Sequence, residues 1–212
     1  MENLREYQIA DLSLMMKLPR CVNASEPGTG KTASSCVYSY YRIKDDNSRF
    51  VWVQPSSLLQ KNLTEVVRFT PLTTDELVII KGTPAQKLKQ IESGAKGFFL
   101  TAEALASYGP RLKELYTINL VVIDECHRSI YNLWRQVLEY FDAYLIGLTA
   151  TPSKQTFGFF NQNLVMEYGH AQAVADGVNV NYDVYRIKTE VSEQGAKVGK
   201  GFWLETQDKA TR

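Results

Sequence analysis

The chain has 212 residues, with 24 Lys and Arg, 23 Asp and Glu and a formal net charge of +1. This length accommodates one α/β domain and a short extension. Because acidic and basic residues are interleaved and balanced, the composition excludes a uniformly basic surface, and any contact with nucleic acid has to be local. No apolar stretch approaches the ~20 residues of a membrane span, and the N-terminus lacks a secretory pattern. We therefore expect a cytoplasmic protein that does not bind a membrane.

Short apolar runs alternate with helical patterns along the chain. The runs are rich in Val, Ile and Phe and are typical of strands that are buried on both faces. They lie at residues 21–24, 50–53, 77–80, 98–100, 120–123 and 144–148. Apolar residues at helical spacing follow at residues 59–67 and 130–141. This alternation predicts an α/β fold with a parallel sheet and right-handed crossovers.

Helix boundaries and a domain boundary are indicated by Gly and Pro. Thr83-Pro84 predicts the start of a helix that ends at Gly94, and Gly109-Pro110 predicts the end of another. After about residue 160 glycines interrupt the pattern, and residues 180–187 alternate as in a strand. We predict one domain over residues 1–160 and an extension or linker over residues 161–212 that leads toward a second lobe.

Nearly every predicted strand is followed by a polar residue. These residues are Ser25, Gln54, Thr101, Asp124 and Thr149. The carboxyl ends of parallel strands meet at one edge of the sheet, where such sheets bind ligands. We therefore expect the chemistry of the chain at this edge.

The segment Ser-Glu-Pro-Gly-Thr-Gly-Lys-Thr at residues 25–32 has the pattern of a phosphate-binding loop. Gly28 and Gly30 allow backbone N–H groups to approach phosphate oxygens at the start of a helix. Lys31 is expected to reach the β- and γ-phosphates, and the Thr32 hydroxyl to bind Mg²⁺. The residues predicted to bind the nucleotide here are Pro27, Gly28, Thr29, Gly30, Lys31 and Thr32.

A second motif, Asp124-Glu125-Cys126-His127, follows the apolar run at residues 120–123. Two adjacent carboxylates at a strand end can divide the work of hydrolysis. We assign Asp124 to the Mg²⁺ shell and Glu125 to the attacking water. With the phosphate-binding loop, this motif predicts hydrolysis of a nucleoside triphosphate.

Six motifs in order resemble the first RecA-like lobe of superfamily 2 helicases and translocases. They are an N-terminal glutamine motif at residues 4–8, motif I at 25–32, motif Ia at 54–59, motif Ib at 100–103, motif II at 124–127 and motif III at 149–151. The Thr-Ala-Thr-Pro sequence that begins at Thr149 is more usual in DNA translocases than in RNA helicases. The resemblance implies a RecA-like P-loop fold, with ATP and Mg²⁺ as cofactors and DNA, preferably duplex, as a partner.

The same resemblance implies roles for individual residues. Gln8, together with Arg5, is implied to bind the adenine nucleotide. His127 is implied to join Lys31, Asp124 and Glu125 in catalysis and to couple the ATP site to motif III. The coupling residues are Thr149, Ala150 and Thr151, and the residues implied to contact nucleic acid are Pro55, Ser56, Ser57, Thr101 and Glu103.

Residues 120–212 are most similar to the motor subunit of type I restriction enzymes. The similarity lies in residues 122–131, 144–152 and 173–180, whereas residues 26–29 resemble phage and chromatin-remodeller helicases. The function implied is ATP-dependent movement on duplex DNA in a restriction-type or phage motor. A second RecA-like lobe, in cis or in trans, is implied as a partner, since motifs IV to VI and the arginine finger have no counterpart in the sequence. We expect no DNA cutting, because the family's nuclease domain has no counterpart either.

Two other functions remain open from the residues. The chain could be a stand-alone decoy or regulator that binds ATP or DNA without motor activity. Residues 27–32 alone would also fit another P-loop ATPase, such as an AAA+ protein, although the Thr-Ala-Thr motif argues against that class.

Trp52 and Trp134 lie on apolar faces, which favours packing over base stacking.

Overall fold

The computed structural model describes residues 3–129, 140–167, 169–181 and 183 of the chain. Its centre is a seven-stranded sheet in which every strand pairing is parallel. The strands are β1 (Arg20–Asn23), β2 (Ser48–Val53), β3 (Leu77–Ile79), β4 (Gly97–Leu100), β5 (Thr117–Asp124), β6 (Tyr144–Leu148) and β7 (Leu164–Met166), in the order β3-β4-β2-β5-β6-β1-β7. The predicted α/β fold with a parallel sheet is confirmed.

Helices cover both faces of the sheet, as the buried strands require. The helices in the described ranges are α1 (Glu6–Met15), α2 (Lys31–Tyr41), α3 (Leu59–Phe69), α4 (Pro84–Ile91), α5 (Ala102–Leu115), α6 (Cys126–Ser129), α7 (Lys154–Phe159) and α8 (His170–Ala175). Helix α4 begins as predicted, because Pro84 occupies its first turn and the Thr83 side chain accepts a hydrogen bond from the Gln86 N–H group. It ends at Ile91, three residues before Gly94, whose φ is +78°.

The two faces of the sheet carry separate apolar cores. One contains Phe98, Leu112 and Phe160, and the other contains Trp52 and Phe99. Trp52 is fully buried and its indole N–H donates to Ser39 Oγ at 3.0 Å. Packing is therefore the role of Trp52, whereas Trp134 lies outside the described residues.

The predicted helix end at Gly109-Pro110 is wrong. Helix α5 continues through Pro110 to Leu115. Pro110 removes one backbone hydrogen bond, but Leu112 in the following turn is completely buried and holds the helix against the sheet. Gly109 allows Phe141 to approach closely, since a Cβ atom at this position would lie 3.3 Å from the Phe141 ring.

The sequence patterns did not predict strand β7. This edge strand has three residues and pairs with β1, and Val165 is its buried residue. Its sequence, Leu164-Val165-Met166, is an apolar run of only three residues, and periodicity cannot distinguish so short a run from a segment of helix.

The chain divides into a compact unit that ends at Val180 and a second unit from Asn181 onward. Strand β7 and helix α8 belong to the first unit, and the boundary expected after residue 160 stays a prediction. The strand expected at residues 180–187 and the helix expected at residues 130–141 fall largely outside the described ranges. Among the helices that the structure describes, none has the length and apolar character to cross a membrane.

Register places the carboxyl ends of the central strands side by side. Asn23 at the end of β1 pairs with Leu148 of β6, and Leu148 pairs in turn with Asp124 at the end of β5. On the other side of β5, Val53 of β2 pairs with Ile123. The loops after these strands therefore meet at one edge of the sheet, as the polar residues after each strand predicted.

Candidate nucleotide-binding site

The loop between β1 and α2 has the geometry of a phosphate cradle. Gly28 and Gly30 have φ values of +82° and +78°, which residues with a Cβ atom rarely adopt. A Cβ atom on Gly30 would also lie 2.6 Å from Gln8 Nε2. No side chain caps helix α2 at Gly30. The N-terminal turn of α2 thus keeps its partial positive charge for an anion.

Lys31 lies at the first position of α2 and folds back over the loop. Its Nζ donates to the carbonyl oxygens of Ser25 at 3.0 Å and Glu26 at 3.4 Å. Burial lowers the pKa of Lys31, while the charges of Asp124 and Glu125 oppose this effect. A partly buried ammonium group with carbonyl partners is able to transfer its hydrogen bonds to phosphate oxygens.

Helix α1 packs its N-terminal residues against the loop. The Tyr7 hydroxyl donates to the Thr29 carbonyl at 2.6 Å, and Gln8 Nε2 donates to the Gly30 carbonyl at 3.1 Å. Gln8 Oε1 accepts from the Arg5 N–H group at 2.9 Å. The amide nitrogen and the amide oxygen of Gln8 each keep one further hydrogen-bonding position, which an adenine base could use. Adenine recognition by Gln8 and Arg5 stays a prediction.

Asp124 and Glu125 occupy the end of β5, opposite the loop. Asp124 Oδ1 accepts from the Glu125 N–H group at 3.0 Å, and burial raises the pKa of Asp124. Glu125 has a φ of 53°, an unfavourable value for a residue with a side chain. Such strain is typical of functional sites. The turn directs two consecutive side chains to different environments, with Asp124 buried and the Glu125 side chain 40 % exposed.

Asn62, which the sequence patterns did not single out, contacts Asp124, and Gln54, one of the polar residues expected at this edge of the sheet, contacts Asn62. Asn62 Nδ2 donates to Asp124 Oδ2 at 2.8 Å and also to Gln54 Oε1. Asn62 lies on the apolar face of α3, three residues after Leu59 and four before Val66. A polar residue on an apolar face was the available signal, but its partner on β5 could not be deduced from spacing.

His127 lies between the carboxylates and the Thr-Ala-Thr motif. Its Nδ1 is 2.9 Å from Thr149 Oγ1, 3.5 Å from Thr151 Oγ1 and 3.4 Å from Glu125 Oε2. Thr149 Oγ1 also accepts from the Thr151 N–H group at 3.1 Å. These contacts give the implied coupling a physical path, although the coupling itself stays a prediction.

A cavity of about 550 Å³ joins these groups. Its lining includes the residues predicted to bind the nucleotide, namely Arg5, Gln8, Pro27, Gly28, Thr29, Gly30, Lys31, Thr32, Asp124 and Glu125, and also Ala150. Helix α3 contributes Lys61 and Asn62, which the motifs did not indicate. The size is within the range of small-ligand sites. Backbone N–H groups and a lysine fit a triphosphate, and a hydroxyl and a carboxylate are oxygen ligands that suit Mg²⁺.

The residues predicted to contact nucleic acid lie after the ends of two neighbouring strands, β2 and β4. Ser56 and Ser57 are exposed and begin a short 3₁₀ helix that follows Pro55 after β2. Thr101 follows β4 and caps α5, where its Oγ1 accepts from the Ala104 N–H group at 3.3 Å. Glu103 is exposed in the first turn of α5. Capping by Thr101 is thus observed, and contact of these residues with DNA stays a prediction.

A buried polar network fixes the start of the phosphate loop. Asp11 Oδ2 accepts from Asn23 Nδ2 at 2.6 Å and from Ser34 Oγ at 2.7 Å, while Asn23 Oδ1 accepts from the Ser25 N–H group at 3.1 Å. Asp11 is 3 % exposed, and its Oδ1 has no partner in the part of the chain that the structure describes. Burial raises the pKa of Asp11 to about 6.

This pKa predicts how pH affects stability. The folded state binds the Asp11 proton more tightly than the unfolded state, so the contribution of Asp11 to stability is largest below about pH 4 and is lost as the pH rises through about 6. The loss is on the order of 3 kcal/mol. We expect Asp11→Asn to gain stability relative to the parent between pH 4.5 and 7, as measured by urea unfolding.

Asp45→Asn is the control for this comparison. Asp45 is an exposed carboxylate whose pKa is lowered, mainly by the Ser48 hydroxyl, so its proton equilibrium lies below this pH interval. The difference in stability between Asp45→Asn and the parent should stay constant from pH 4.5 to 7. The same constancy for Asp11→Asn would refute the assignment.

Comparison with known proteins agrees with the predicted resemblance. Two similar relatives are endonuclease subunits of type I restriction enzymes from Escherichia coli. The EcoAI subunit is 37% identical over 91 residues, covering 39% of this chain and 11% of that protein. The EcoKI subunit of strain K12 is 26% identical over 209 residues, covering 86% of this chain and 18% of that protein. The chain therefore spans less than a fifth of the length of these two relatives.

Solved structures show the same fold at low sequence identity. The nuclease-deleted type ISP restriction-modification enzyme LlaGI, in complex with a DNA substrate mimic, matches with a TM-score of 0.64 and 21% identity over 91% of this chain and 22% of that chain. The SWI2/SNF2 ATPase core of Sulfolobus solfataricus, in complex with dsDNA, matches with a TM-score of 0.61 and 17% identity over 79% of this chain and 45% of that chain. The Hef helicase domain of Pyrococcus furiosus matches with a TM-score of 0.60 and 18% identity over 79% of this chain and 38% of that chain. The sheet is therefore that of a RecA-like helicase domain.

A family model decides the classification. The model described as "Type III restriction enzyme, res subunit" matches residues 3–154, which include the phosphate loop, the carboxylate pair and the Thr-Ala-Thr motif. The chain therefore belongs to the ResIII family of helicase superfamily 2.

Proposed function

We propose that this helicase-type domain binds ATP with Mg²⁺ and hydrolyses it to drive movement along duplex DNA, in a motor that includes a second RecA-like lobe. The observation that carries the proposal is that Lys31, Asp124 and Glu125 line one shared cavity. A cationic loop and a carboxylate pair across one cavity are the parts that phosphoryl transfer requires.

The geometry supports a division of labour around the triphosphate. The loop from Pro27 to Lys31 would hold the phosphates through backbone N–H groups and the Lys31 ammonium. Thr32 and Asp124 would hold Mg²⁺, which when bound neutralises charge on the phosphate oxygens. The more exposed Glu125 carboxylate would accept the proton of the attacking water.

DNA as the partner is supported by position rather than by charge. Ser56, Ser57 and Thr101 follow adjacent strands, and hydroxyl groups of this kind suit phosphate oxygens of a nucleic-acid backbone. Two of the structural neighbours were solved with DNA or a DNA mimic. His127, which touches both Glu125 and Thr149, would connect hydrolysis to such movement.

Replacement of Lys31 tests the nucleotide site. Truncation of one partner of a buried, hydrogen-bonded charge pair costs roughly 2–5 kcal/mol. We therefore expect Lys31→Ala to weaken the binding of a non-hydrolysable ATP analogue with Mg²⁺ by roughly 30-fold or more, as measured by isothermal titration calorimetry on the 212-residue chain.

Lys61→Ala is the matched control for Lys31→Ala. Lys61 lines the same cavity, but it is exposed on α3 and lies outside the loop. Its replacement removes the same charge and should change the affinity only a few-fold. Equal losses for the two variants would show that binding depends on general positive charge and not on the phosphate loop.

A further inference from the structure

The amide of Asn62 contacts the carboxylate that we assign to the metal. Asn62 Nδ2 lies 2.8 Å from Asp124 Oδ2, and the other oxygen, Oδ1, accepts from the Glu125 N–H group. Each carboxylate oxygen therefore has one protein donor and retains lone-pair capacity for a further ligand. Two donors on different oxygens fix the plane of the carboxylate, which the bond from Glu125 alone would not do.

Burial makes this contact difficult to replace with water. Asn62 is 1 % exposed, Gln54 is 3 % and Asp124 is 9 %. A buried amide costs free energy unless it is hydrogen-bonded. On the apolar face of α3, between Leu59 and Leu63, a hydrocarbon side chain would avoid this cost. The described partners of the Asn62 amide are Asp124 and Gln54, so its polar character serves these two groups.

Gln54 holds Asn62 from the neighbouring strand. Gln54 follows Val53, the last residue of β2, as Asp124 follows Ile123 in β5, and these strands are paired in register at Val53 and Ile123. Gln54 Oε1 accepts from Asn62, and the Gln54 N–H group donates to the Leu100 carbonyl at 3.1 Å. Within the described ranges the Gln54 Nε2 atom has no hydrogen-bond partner, so no second side-chain bond competes for Gln54.

We propose that Asn62, held by Gln54, is a positioning residue that orients the Asp124 carboxylate for the metal ion of the nucleotide complex. This inference rests on the proposed function, because it requires that Asp124 hold the metal. Groups that orient a ligating residue through a hydrogen bond typically change metal affinity by roughly 10–100-fold. Asn62 itself stays outside the reaction.

The test compares nucleotide binding with and without metal in the full 212-residue chain. We titrate a non-hydrolysable ATP analogue in EDTA and then at increasing Mg²⁺ concentrations. For the parent, we expect Mg²⁺ to tighten binding. In Asn62→Leu, the Mg²⁺ concentration for half of this effect should rise roughly 10–100-fold. Affinity in EDTA should stay close to that of the parent, since the phosphate loop is intact.

Two further variants keep the test decisive. Asn62→Ala should show the same loss of Mg²⁺ response if the branched Leu side chain prevents folding, which circular dichroism reports. Asn119→Leu is the matched control: Asn119 lies on the same strand β5 near its opposite end, where its amide donates to Ser48 Oγ and the Arg42 carbonyl. This control should retain the parental Mg²⁺ response. If the loss of any hydrogen-bonded amide were enough to weaken the response, Asn119→Leu would weaken it as well.

The outcomes separate this inference from the proposed function. Absence of Mg²⁺-dependent binding in the parent would overturn the proposed function and the role of Asn62 with it. A parental Mg²⁺ response in both folded Asn62 variants would overturn the role of Asn62 alone. A reduced response in the Asn62 variants, with a normal Asn119→Leu response, is the result that we expect.

Discussion

Glu125→Gln is expected to bind ATP and Mg²⁺ with parental affinity and to lose hydrolysis by roughly 10²–10⁴-fold, the usual contribution of a general base. The amide has the shape of the carboxylate but cannot accept the proton of the attacking water. Its exposure of 40 % and its position next to His127 leave Glu125 accessible to water. Single-turnover hydrolysis, with protein in excess over labelled ATP, measures the loss even when the parental rate is low.

Asp124→Asn is the partner variant for this prediction. Asp124 is buried against Asn62 and is assigned to Mg²⁺, so its replacement should weaken Mg²⁺-dependent affinity as well as turnover. If both variants lowered affinity equally, the assignment of separate roles to the two carboxylates would be wrong.

The backbone explains why adjacent residues can have separate roles. If β5 continued as an extended strand, the two side chains would point to opposite faces of the sheet, and both residues would belong to the strand. The left-handed conformation of Glu125 ends strand β5 and turns the chain into α6. Asp124 therefore stays at the strand end, while Glu125 lies beyond it, within 3.4 Å of His127.

The sequence was sufficient to predict the sheet and its functional edge. Runs such as residues 120–123 are apolar without alternation, which is typical of a strand buried on both faces, and all six predicted runs coincide with strands in the structure. Since parallel strands share one direction, the polar residues after them had to meet. The proximity of the loop glycines and the carboxylate pair could thus be predicted from the sequence alone.

Interactions that depend on tertiary neighbours could not be predicted. Asn62 and Asp11 are polar residues on buried helix faces, but their partners Asp124 and Asn23 lie on strands that spacing alone cannot match to a helix. Helix α5 continues through Pro110 because the sheet packs against Leu112, which is again a tertiary effect. Local patterns record the preference of a segment and not the surface that it meets.

The positive groups around the cavity determine the last prediction. The charges with the largest effect on Lys31 are Asp124, Glu125, Glu26 and Lys61, and none of these is an arginine. Among the described residues that line the cavity, the arginines are Arg5, which precedes α1, and Arg68, which pairs with Glu65 at 3.4 Å on α3. Arginine supplied to the transferring phosphate raises the rate by roughly 10³–10⁵-fold in related systems.

The 212-residue chain alone is therefore expected to bind ATP but to hydrolyse it at about 10⁻² s⁻¹ or less, at least about 10³-fold below typical turnover, with little stimulation by duplex DNA. A steady-state ATPase assay with and without DNA, at several protein concentrations, measures this. Fast DNA-stimulated turnover per chain at every concentration would mean that an arginine within the chain acts in cis, and Arg5→Ala and Arg68→Ala would test the two arginines that line the cavity. A rate per chain that rises with concentration would instead assign the arginine to a second copy, and the requirement for a separate second lobe would then be wrong.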